Sequence, residues 1–343
     1  MSCILLTGAT GYIGSHTWLA LQAAGFAVVG VDSLVNSSPK VLPRLAEIGG
    51  QVPVFVEGDV RDPAVLDRCF ALAQERFGSI AAVVHFAALK SVGESIERPL
   101  DYFENNLGGL LSVCQTMQRH GVFNLVFSSS ATVYGQPERL PLREDAALSV
   151  TNPYGQTKLI GEQLLRELEK CDPRWHIAYL RYFNPVGAHP SGRIGEDPRG
   201  VPNNLMPYVA QVAIGKRAHL NVFGNDYDTP DGTGVRDYIH VCDLAEGHVA
   251  ALRYLFEQQR SLTANLGTGE GYSVLELAQA YGKAAGREIA LVFAPRRAGD
   301  VAACYADPSH AHATMGWKAV RDLSRMCEDS WRWQSQNPNG FEG

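Results

Sequence analysis

The chain has 343 residues, of which 45% are hydrophobic and 19% charged, a length sufficient for one large α/β unit or two closely associated domains. Its net charge is −6 and its Lys and Arg residues form no runs, which argues against a nucleic-acid-binding stripe or a polybasic membrane patch. Its seven cysteines include no CxxC pair, so we expect a reducing compartment rather than a disulfide framework or a zinc site.

The N-terminal apolar run stops at Gly8 and has no basic segment before it, which is typical of a buried strand rather than a signal peptide. No apolar stretch approaches the ~20 residues of a membrane helix. We therefore expect a cytoplasmic protein.

The first half of the chain alternates short apolar runs with helical patterns, which is typical of βαβ units around a parallel sheet. The apolar runs predict strands at residues 3–6, 27–31, 52–56, 81–85, 125–127 and 177–182. The intervening patterns predict helices at residues 12–24, 63–77, 107–119 and 154–169.

The amino-acid composition changes after residue 183. A segment rich in Pro, Gly and Asn runs to residue 206 and predicts a long functional loop. Helices are expected near residues 206–214 and 243–256. We predict an α/β protein with a Rossmann-like, doubly wound parallel sheet in residues 1–183 and a smaller mixed α/β substrate domain in residues 184–343. The segment at about 238–266 is a candidate for return to the first domain.

A glycine-rich turn follows the first predicted strand. Gly8, Gly11 and Gly14 would let the backbone approach a pyrophosphate at the N-terminus of the next helix. Asp32 ends the second strand, where a carboxylate can hold the adenosine ribose hydroxyls and would repel a 2′-phosphate. The pattern therefore predicts NAD rather than NADP; a ligand-free turn is the simpler alternative for the glycines or the aspartate alone.

Tyr154 and Lys158 lie four residues apart in a predicted helix, which places the phenol and the ammonium on one helical face. Base catalysis at pH 7 requires the tyrosine pKa to fall from about 10 to near 7, which corresponds to about 4 kcal/mol. We expect the lysine and a nicotinamide cation to supply it. The serine-rich loop 128–135 follows a buried strand, at the sheet edge where open α/β proteins bind ligands. A surface Tyr and Lys, or a plain turn, is the alternative for each feature taken alone.

Residues 7–16, 58–62 and 85–90 resemble the extended short-chain dehydrogenase/reductase family, and the GxxGxxG spacing of the first segment carries much of the likeness. The resemblance implies bound NAD, with Tyr154, Lys158 and Ser130 as catalytic residues and Thr132 as support. Ala88 departs from the family, which often has Gly there, and we expect its methyl group to be tolerated. The implied cofactor-binding residues are Gly8, Gly11, Tyr12, Ile13, Gly14, Asp32, Ser33, Asn36, Ser37, Asp59, Val60, Phe86, Ala87, Ala88, Lys90, Asn105, Ser128, Tyr154, Lys158 and Phe183.

Four further segments, residues 181–190, 202–207, 231–240 and 294–300, resemble the family of UDP-hexose 4-epimerases. The loop 130–134 lacks the Asp-Glu pair that nucleotide-sugar 4,6-dehydratases of similar fold use to eliminate water. Two arginines of the matching segments would neutralise a diphosphate. The implied substrate-binding residues are Lys90, Ser130, Tyr154, Asn184, Asn204, Leu205, Asn221, Val222, Phe223, Arg236, Tyr238, Arg297, Asp300 and Cys304.

The resemblance implies reversible epimerisation of UDP-galactose and UDP-glucose at C4 through a 4-keto intermediate. Tyr154 would take the proton of the sugar 4-hydroxyl while a hydride passes from C4 to tightly bound NAD, then returns to the opposite face. Cys304 stands where epimerases restricted to unsubstituted hexoses carry a bulky Tyr. We therefore expect activity on UDP-N-acetylglucosamine and UDP-N-acetylgalactosamine as well; the alternative is that Cys304 is only a small buried hydrophobe.

Three alternatives stay open at this point. A UDP-sugar decarboxylase would need an extra basic partner, and a 4-reductase would exchange its cofactor. A dinucleotide-sensing regulatory protein would be expected to lack the Tyr154 and Lys158 pair. The resemblance also implies a homodimer packed through helices near residues 100–119 and 154–169. We expect no metal, because the ten histidines lack ligand spacing, and we interpret Glu196 and Asp197 as solvated loop charges.

Overall fold

A computed structural model describes residues 2–198, 200, 202, 204–297 and 300–342. Asn203, Ala298 and Gly299, which belong to two of the matching segments, lie outside the described residues. The strands are β1 (Cys3–Thr7), β2 (Ala27–Asp32), β3 (Val54–Glu57), β4 (Ile80–His85), β5 (Asn124–Ser130), β6 (His176–Tyr182), β7 (Asn184–Val186), β8 (Leu220–Phe223), β9 (Val235–His240), β10 (Leu262–Leu266), β11 (Gly271–Ser273), β12 (Leu291–Ala294) and β13 (Ala303–Cys304).

Helices cover both faces of the main sheet and form most of the C-terminal region. They are α1 (Tyr12–Ala23), α2 (Val41–Gly49), α3 (Pro63–Phe77), α4 (Val92–Glu97), α5 (Pro99–Arg119), α6 (Pro153–Cys171), α7 (Leu205–Ala213), α8 (Val241–Gln258), α9 (Val274–Ala285), α10 (Ser309–Met315) and α11 (Leu323–Gln336), with short 3₁₀ turns at Ala131–Tyr134 and Gly340–Glu342. Among the described residues, no helix is long and apolar enough to cross a membrane.

The main sheet has seven parallel strands in the order β10-β6-β5-β4-β1-β2-β3. Strands β1 and β2 are buried along their whole length, because helices cover both faces. One apolar cluster lies on the side of α1 and α8, and another on the side of α3 and α5. The strand order reverses between β1 and β4, and such a reversal opens a ligand crevice at the carboxyl ends of the strands. The predicted Rossmann-like fold is confirmed.

A smaller region has its own core between helices α7, α9 and α11. It contains a sheet in which β9 lies between β11 and β13 and also pairs with β7, and a separate β8-β12 pair. The register on β9 aligns Asn184 with Tyr238 and Cys304 with Arg236. Four predicted substrate-binding residues are thus brought together from three distant parts of the sequence.

The chain crosses between the two regions more than once. Strand β7 begins at Asn184, where we predicted the boundary, and β9 also belongs to the smaller sheet. Helix α8 then packs on α1, and β10 pairs with β6 in the main sheet. Residues 241–266 therefore contact the main sheet and its helices, whereas β9 pairs within the smaller sheet.

Several predicted bounds differ from the structure. Helix α5 begins at Pro99 rather than residue 107, because a proline is well suited to the first helical turn. Helix α2 was not predicted; it carries Pro43 in its first turn, where the missing N–H costs little. Strand β3 begins after Pro53, at Val54 rather than residue 52.

Candidate active site

The predicted site residues gather at the carboxyl edge of the main sheet. Gly8 follows β1, Phe86 follows β4, Ser130 ends β5 and Phe183 follows β6. Because parallel strands present these ends at one edge, residues more than a hundred positions apart in sequence meet there.

The glycine turn leaves no room for side chains. Gly8 has a φ of +67°, and a Cβ there would lie 2.9 Å from the amide nitrogen of Ala87. A Cβ on Gly14 would lie 2.1 Å from the carbonyl oxygen of Gly8. Helix α1 begins at Tyr12 with Gly11 at its N-cap and no capping side chain. The free N–H groups of this helix end and the bare backbone before it fit a pyrophosphate.

Asp32 is fixed at the end of β2 by three hydrogen bonds. Its Oδ2 accepts from the Thr10 amide at 3.1 Å, and its Oδ1 accepts from the Leu34 amide at 2.9 Å and from Ser37 Oγ at 3.0 Å. The carboxylate thus joins the glycine turn to the loop after β2. An ionised carboxylate has about four acceptor positions, so capacity remains for a ribose hydroxyl.

The other predicted cofactor residues border this edge with varied exposure. Ser33 and Asn36 are exposed, whereas Ser37, Val60 and Phe183 are buried. Asp59 is engaged by the Arg61 guanidinium, with Nη2 2.6 Å from Oδ2, and this hydrogen-bonded partner lowers the pKa of the Asp59 carboxyl.

Asn106, beside the predicted Asn105, was missed by the sequence reasoning. Its amide donates to the Leu89 carbonyl at 3.0 Å and to Thr157 Oγ1 at 2.9 Å, and its oxygen accepts from the Leu89 amide. It therefore ties the loop after β4 to α6. Asn106 directly precedes the predicted helix at residues 107–119, and an Asn at that position offers no sequence signal for such a contact.

Helix α6 carries the Tyr154 and Lys158 pair. Pro153 occupies its first turn and the Asn152 side chain accepts from the Gly155 amide at 2.8 Å, which fixes where the helix begins. Lys158 Nζ donates to the carbonyl oxygen of Ser128 at 2.7 Å and to its Oγ at 3.1 Å, and lies 5.9 Å from the centroid of the Tyr154 ring.

Ser130 and Thr132 face the same helix from the end of β5. Ser130 Oγ accepts from the Thr132 amide at 3.2 Å, and the Ser130 side chain lies near enough to the Tyr154 phenol to lower its pKa. The Thr132 hydroxyl lies against Gly155, where an added Cβ would be 3.3 Å from Oγ1. The structure thus brings the four predicted catalytic residues together.

Burial dominates the acid-base properties of this pair. It raises the pKa of Tyr154 to about 12, although the hydrogen bond from Ser130 acts in the opposite direction. Burial lowers the pKa of Lys158 to about 7. The lowered tyrosine pKa that we expected is therefore not produced by the protein alone. The lysine ammonium is directed at Ser128, and the opposing effect of Ser130 does not offset burial of the phenol.

Apart from Lys90, Ser130 and Tyr154, the predicted substrate-binding residues lie in the smaller region, on short strands, on loops and at the start of α7. The Arg297 guanidinium stacks on the Phe223 ring with its carbon 3.8 Å from the centroid, and Arg236 Nη1 donates to the Val235 carbonyl at 2.8 Å. Leu205 opens α7, and Asn204 precedes it as an N-cap without a side-chain bond to the helix. Of the remainder, Asn184 and Asp300 are exposed, Asn221 and Cys304 are partly buried, and Val222 and Tyr238 are buried in the core of that region.

The interpretation of Glu196 and Asp197 as solvated loop charges is wrong. Glu196 Oε1 accepts from Asn204 Nδ2 at 3.0 Å and lies 3.5 Å from Lys90 Nζ, with only 11% of the side chain exposed. Asp197 accepts from the Phe341 amide at 2.8 Å, and burial raises the pKa of its carboxyl. Lys90 and Phe341 are distant in sequence from this loop, so neither of those contacts could be predicted from the loop itself.

The histidines near the site have structural partners. His240 caps α8 by accepting from the Cys242 amide at 3.0 Å, and His248 Nδ1 contacts the Leu244 carbonyl oxygen at 2.8 Å. Among the described residues, no group of three or more His, Cys, Asp or Glu side chains is arranged to hold a metal ion.

Comparison with known proteins agrees with this geometry. The family model of the NAD dependent epimerase/dehydratase family matches residues 4–267. A UDP-glucose 4-epimerase of Bacillus subtilis (strain 168) is 57% identical over 99% of this chain and 98% of that protein. A solved UDP-glucose-4-epimerase from Stenotrophomonas maltophila, with bound NAD and formylated UDP-arabinopyranose, superposes with a TM-score of 0.95 at 53% identity, covering 98% of this chain and 99% of that one.

A second solved structure, of UDP-glucose 4-epimerase from Bifidobacterium longum in complex with NAD+ and UDP, has a TM-score of 0.94 at 50% identity. It covers 99% of this chain, and this chain covers 100% of it. The family match spans more than half of the chain, and these relatives align over nearly all of it. The chain is therefore a member of the NAD dependent epimerase/dehydratase family.

Proposed function

We propose that this chain is an enzyme that interconverts UDP-galactose and UDP-glucose by inverting C4 of the sugar, with NAD as a tightly held cofactor. The observation that carries the proposal is the group formed by Ser130, Tyr154 and Lys158 at the sheet edge, next to a helix N-terminus built for a pyrophosphate. Full-length similarity to UDP-glucose 4-epimerases supports this reaction among those of the family.

The proposed NAD site runs along the carboxyl edge of the main sheet. The N-terminus of α1 would bind the pyrophosphate, Asp32 the adenosine ribose, and Lys158 the nicotinamide ribose. Bound NAD would supply a hydride acceptor at the sugar C4 and a positive charge beside the phenol.

Tyr154 is the proposed acid and base. It takes the proton of the 4-hydroxyl as the carbonyl forms at C4, and returns it when the hydride is delivered to the other face of the ketose. Ser130 donates to the sugar oxygen or to the phenol, and so orients both. Because burial alone holds the phenol protonated, the base form requires the cation that the cofactor supplies.

The proposed UDP site uses two cations of the smaller region, of which Arg297 is exposed and Arg236 is half-buried. Arg236 and Arg297 would neutralise the diphosphate, Phe223 would offer a ring face, and Asp300 would accept from ribose hydroxyls. These groups bind the nucleotide and leave the hexose free to turn. The loop between β5 and α6 lacks an Asp-Glu pair in residues 130–134, which favours epimerisation over dehydration.

We also propose that N-acetylated sugars are substrates. Cys304 pairs with Arg236 across β13 and β9 and is partly buried, so its side chain lies next to a proposed diphosphate ligand. A cysteine there leaves more space than a tyrosine would, and a 2-acetamido group needs that space.

The proposed assembly is a homodimer in the cytoplasm. Leu100 and Leu111 on α5 are exposed at 79% and 44%, as expected of a helix that packs against a second subunit. The cysteines among the described residues are all free thiols, which fits a reducing compartment.

We retain residues 1–183 with 241–266 as the proposed NAD-binding domain, and the remainder as the proposed UDP-sugar domain.

The test is to purify the protein without added NAD and incubate it separately with UDP-galactose and UDP-N-acetylgalactosamine. Chromatographic resolution of the epimers is expected to show UDP-glucose from the first and UDP-N-acetylglucosamine from the second. No conversion of either sugar after NAD is supplied would rule out the proposed reaction.

A further inference from the structure

The side chains of three consecutive serines at the end of β5 each face a different turn of α6. The contacted helix residues are spaced four apart, so they lie on one face of the helix. Ser130 faces the phenol of Tyr154, Ser128 contacts Nζ of Lys158 at 3.1 Å, and Ser129 donates to Oε1 of Glu162 at 2.6 Å. The first two involve proposed catalytic groups, whereas Glu162 lies one turn beyond them and has no role in the reaction described above.

Glu162 is held by a buried, bidentate ion pair. Arg181 Nε donates to Oε1 at 3.0 Å and Arg181 Nη2 donates to Oε2 at 2.8 Å. The two side chains are 2% and 1% exposed. A paired guanidinium and carboxylate fix each other in distance and in orientation.

The other end of the same guanidinium reaches the turn that follows Ser130. Arg181 Nη1 donates to Tyr134 Oη at 2.9 Å and to the Glu144 carbonyl at 3.0 Å. Tyr134 closes the 3₁₀ turn Ala131–Tyr134, and its hydroxyl donates to Asn265 Oδ1 at 2.6 Å. One arginine therefore joins the catalytic helix, the end of β5 and the turn that carries Thr132.

A buried ion pair is a poor way to gain stability. Removing two charges from water costs several kcal/mol per ion, and an apolar pair of the same volume often serves as well. What the ion pair adds is a defined position, which matters most where a displacement of about 1 Å costs about a hundredfold in rate.

We propose that Glu162 and Arg181 are positioning residues, which set α6 against β5 so that Tyr154 and Lys158 stay within reach of Ser130 and Ser128. This inference rests on the proposed epimerase function, because it assigns the two residues to that reaction. Neither residue touches the substrate in this account; they act through the helix and the strand.

The test is Glu162→Gln, which keeps the shape of the side chain and removes the ion pair. We expect kcat for UDP-galactose to fall by about 10- to 100-fold with KM unchanged, since the UDP-binding groups lie elsewhere. In the pH profile of kcat, the acid limb should move to higher pH. A weaker interaction with Ser130 stabilises the Tyr154 phenolate less, and the pKa of the phenol therefore rises. Arg181→Lys keeps the charge but loses the bidentate contact. Its kcat should lie between those of wild type and Glu162→Gln.

Asp243→Asn is the matched control. Asp243 is fully buried on α8, pairs with Arg321 and accepts from the Arg321 amide at 2.9 Å, but contacts no part of α6 in these interactions. It should lower the melting temperature without moving kcat or the pH limb. The positioning role is refuted if Glu162→Gln behaves like Asp243→Asn, that is, if it lowers the melting temperature but changes neither kcat nor the acid limb of the pH profile.

Ser129→Ala covers the case in which Glu162→Gln does not fold. It removes one hydroxyl and leaves the ion pair intact, and we expect kcat to fall about threefold with a smaller shift of the same limb. An unchanged kcat and pH limb in folded Ser129→Ala would also refute the proposal. Wild-type protein assayed beside these variants separates the two claims: inactive wild type counts against the epimerase function, whereas active wild type with fully active variants counts against the positioning role alone.

Discussion

Lys158, on the main sheet side, is 5% exposed and donates two hydrogen bonds to Ser128, whereas the side chain of Arg297 in the smaller region is exposed and rests on the Phe223 ring. The proposed reacting groups are thus buried or half-buried and are fixed by strand ends and a capped helix. The proposed substrate-binding groups stand on strands of two to six residues and on loops.

The difference matches two different tasks. A hydride and a proton must be transferred at fixed distances, so the groups that act on C4 need a rigid setting. The sugar must present both of its faces in turn, so the binding energy is better placed on the nucleotide, away from the reacting carbon. Substitutions on the first side should therefore change kcat, and those on the second side should change KM or the choice of sugar.

The largest effect is expected for Tyr154→Phe. Loss of the acid and base should lower kcat for UDP-galactose by at least about a thousandfold while UDP binding is retained. Initial rates, with UDP affinity from calorimetry as the control for folding, would measure it. Activity within tenfold of wild type would remove Tyr154 from the proposed role.

Lys158→Met should lower kcat by about a hundredfold and also change stability with pH. Burial lowers the pKa of Lys158 from 10.5 to about 7, so the folded protein binds this proton less tightly than the unfolded chain does. The cost of burying Lys158 is therefore absent above pH 10.5, grows as pH falls, and is complete below about pH 7. In cofactor-free protein, Lys158→Met should melt higher than wild type at pH 6.5, and the difference should vanish by pH 10.5. A pH-independent difference in melting temperature would contradict this.

Cys304→Tyr should separate the two classes of sugar. The larger side chain should lower kcat/KM for UDP-N-acetylgalactosamine by about a hundredfold and leave that for UDP-galactose within about threefold. Cys304→Ser, which keeps the volume, is the control. Unchanged N-acetyl turnover in the tyrosine variant would leave Cys304 as a packing residue.

Arg297→Ala should raise KM for UDP-galactose by about tenfold with kcat little changed, because an exposed guanidinium contributes a charge-assisted contact to the diphosphate. Arg260→Ala, another exposed arginine, provides the control for the change in net charge. A drop in kcat at saturating substrate would place Arg297 among the groups that act on the transition state.

Glu196→Gln should have the smallest effect. The carboxylate lies 3.5 Å from the exposed Lys90 ammonium, and ion pairs with an exposed partner contribute about 0.2–1 kcal/mol. We expect KM to rise about twofold at low salt and the difference to disappear at high salt. An effect above tenfold would make Glu196 a direct ligand of the substrate.

The sequence predicted local patterns of this molecule better than it predicted contacts between separate elements. The glycine turn, Asp32 and the Tyr154 and Lys158 spacing are local patterns tied to a strand or a helix, and the structure places them together. The contacts of Glu196 with Lys90 and of Glu162 with Arg181 depend on how separate elements pack, and the first of these joins positions 106 residues apart. The raised phenol pKa of the cofactor-free protein is a related case, because burial is a property of the packed site and not of the spacing.

The most direct test of the central claim follows the hydrogen at C4. UDP-galactose that carries deuterium at C4 would be converted in ordinary water by protein purified without added NAD, and the UDP-glucose formed would be examined by mass spectrometry. Transfer of a hydride to a retained cofactor and back predicts that the deuterium remains at C4 in the product. Replacement by hydrogen from the solvent would contradict the account, since it would show abstraction of a proton at C4 rather than transfer of a hydride.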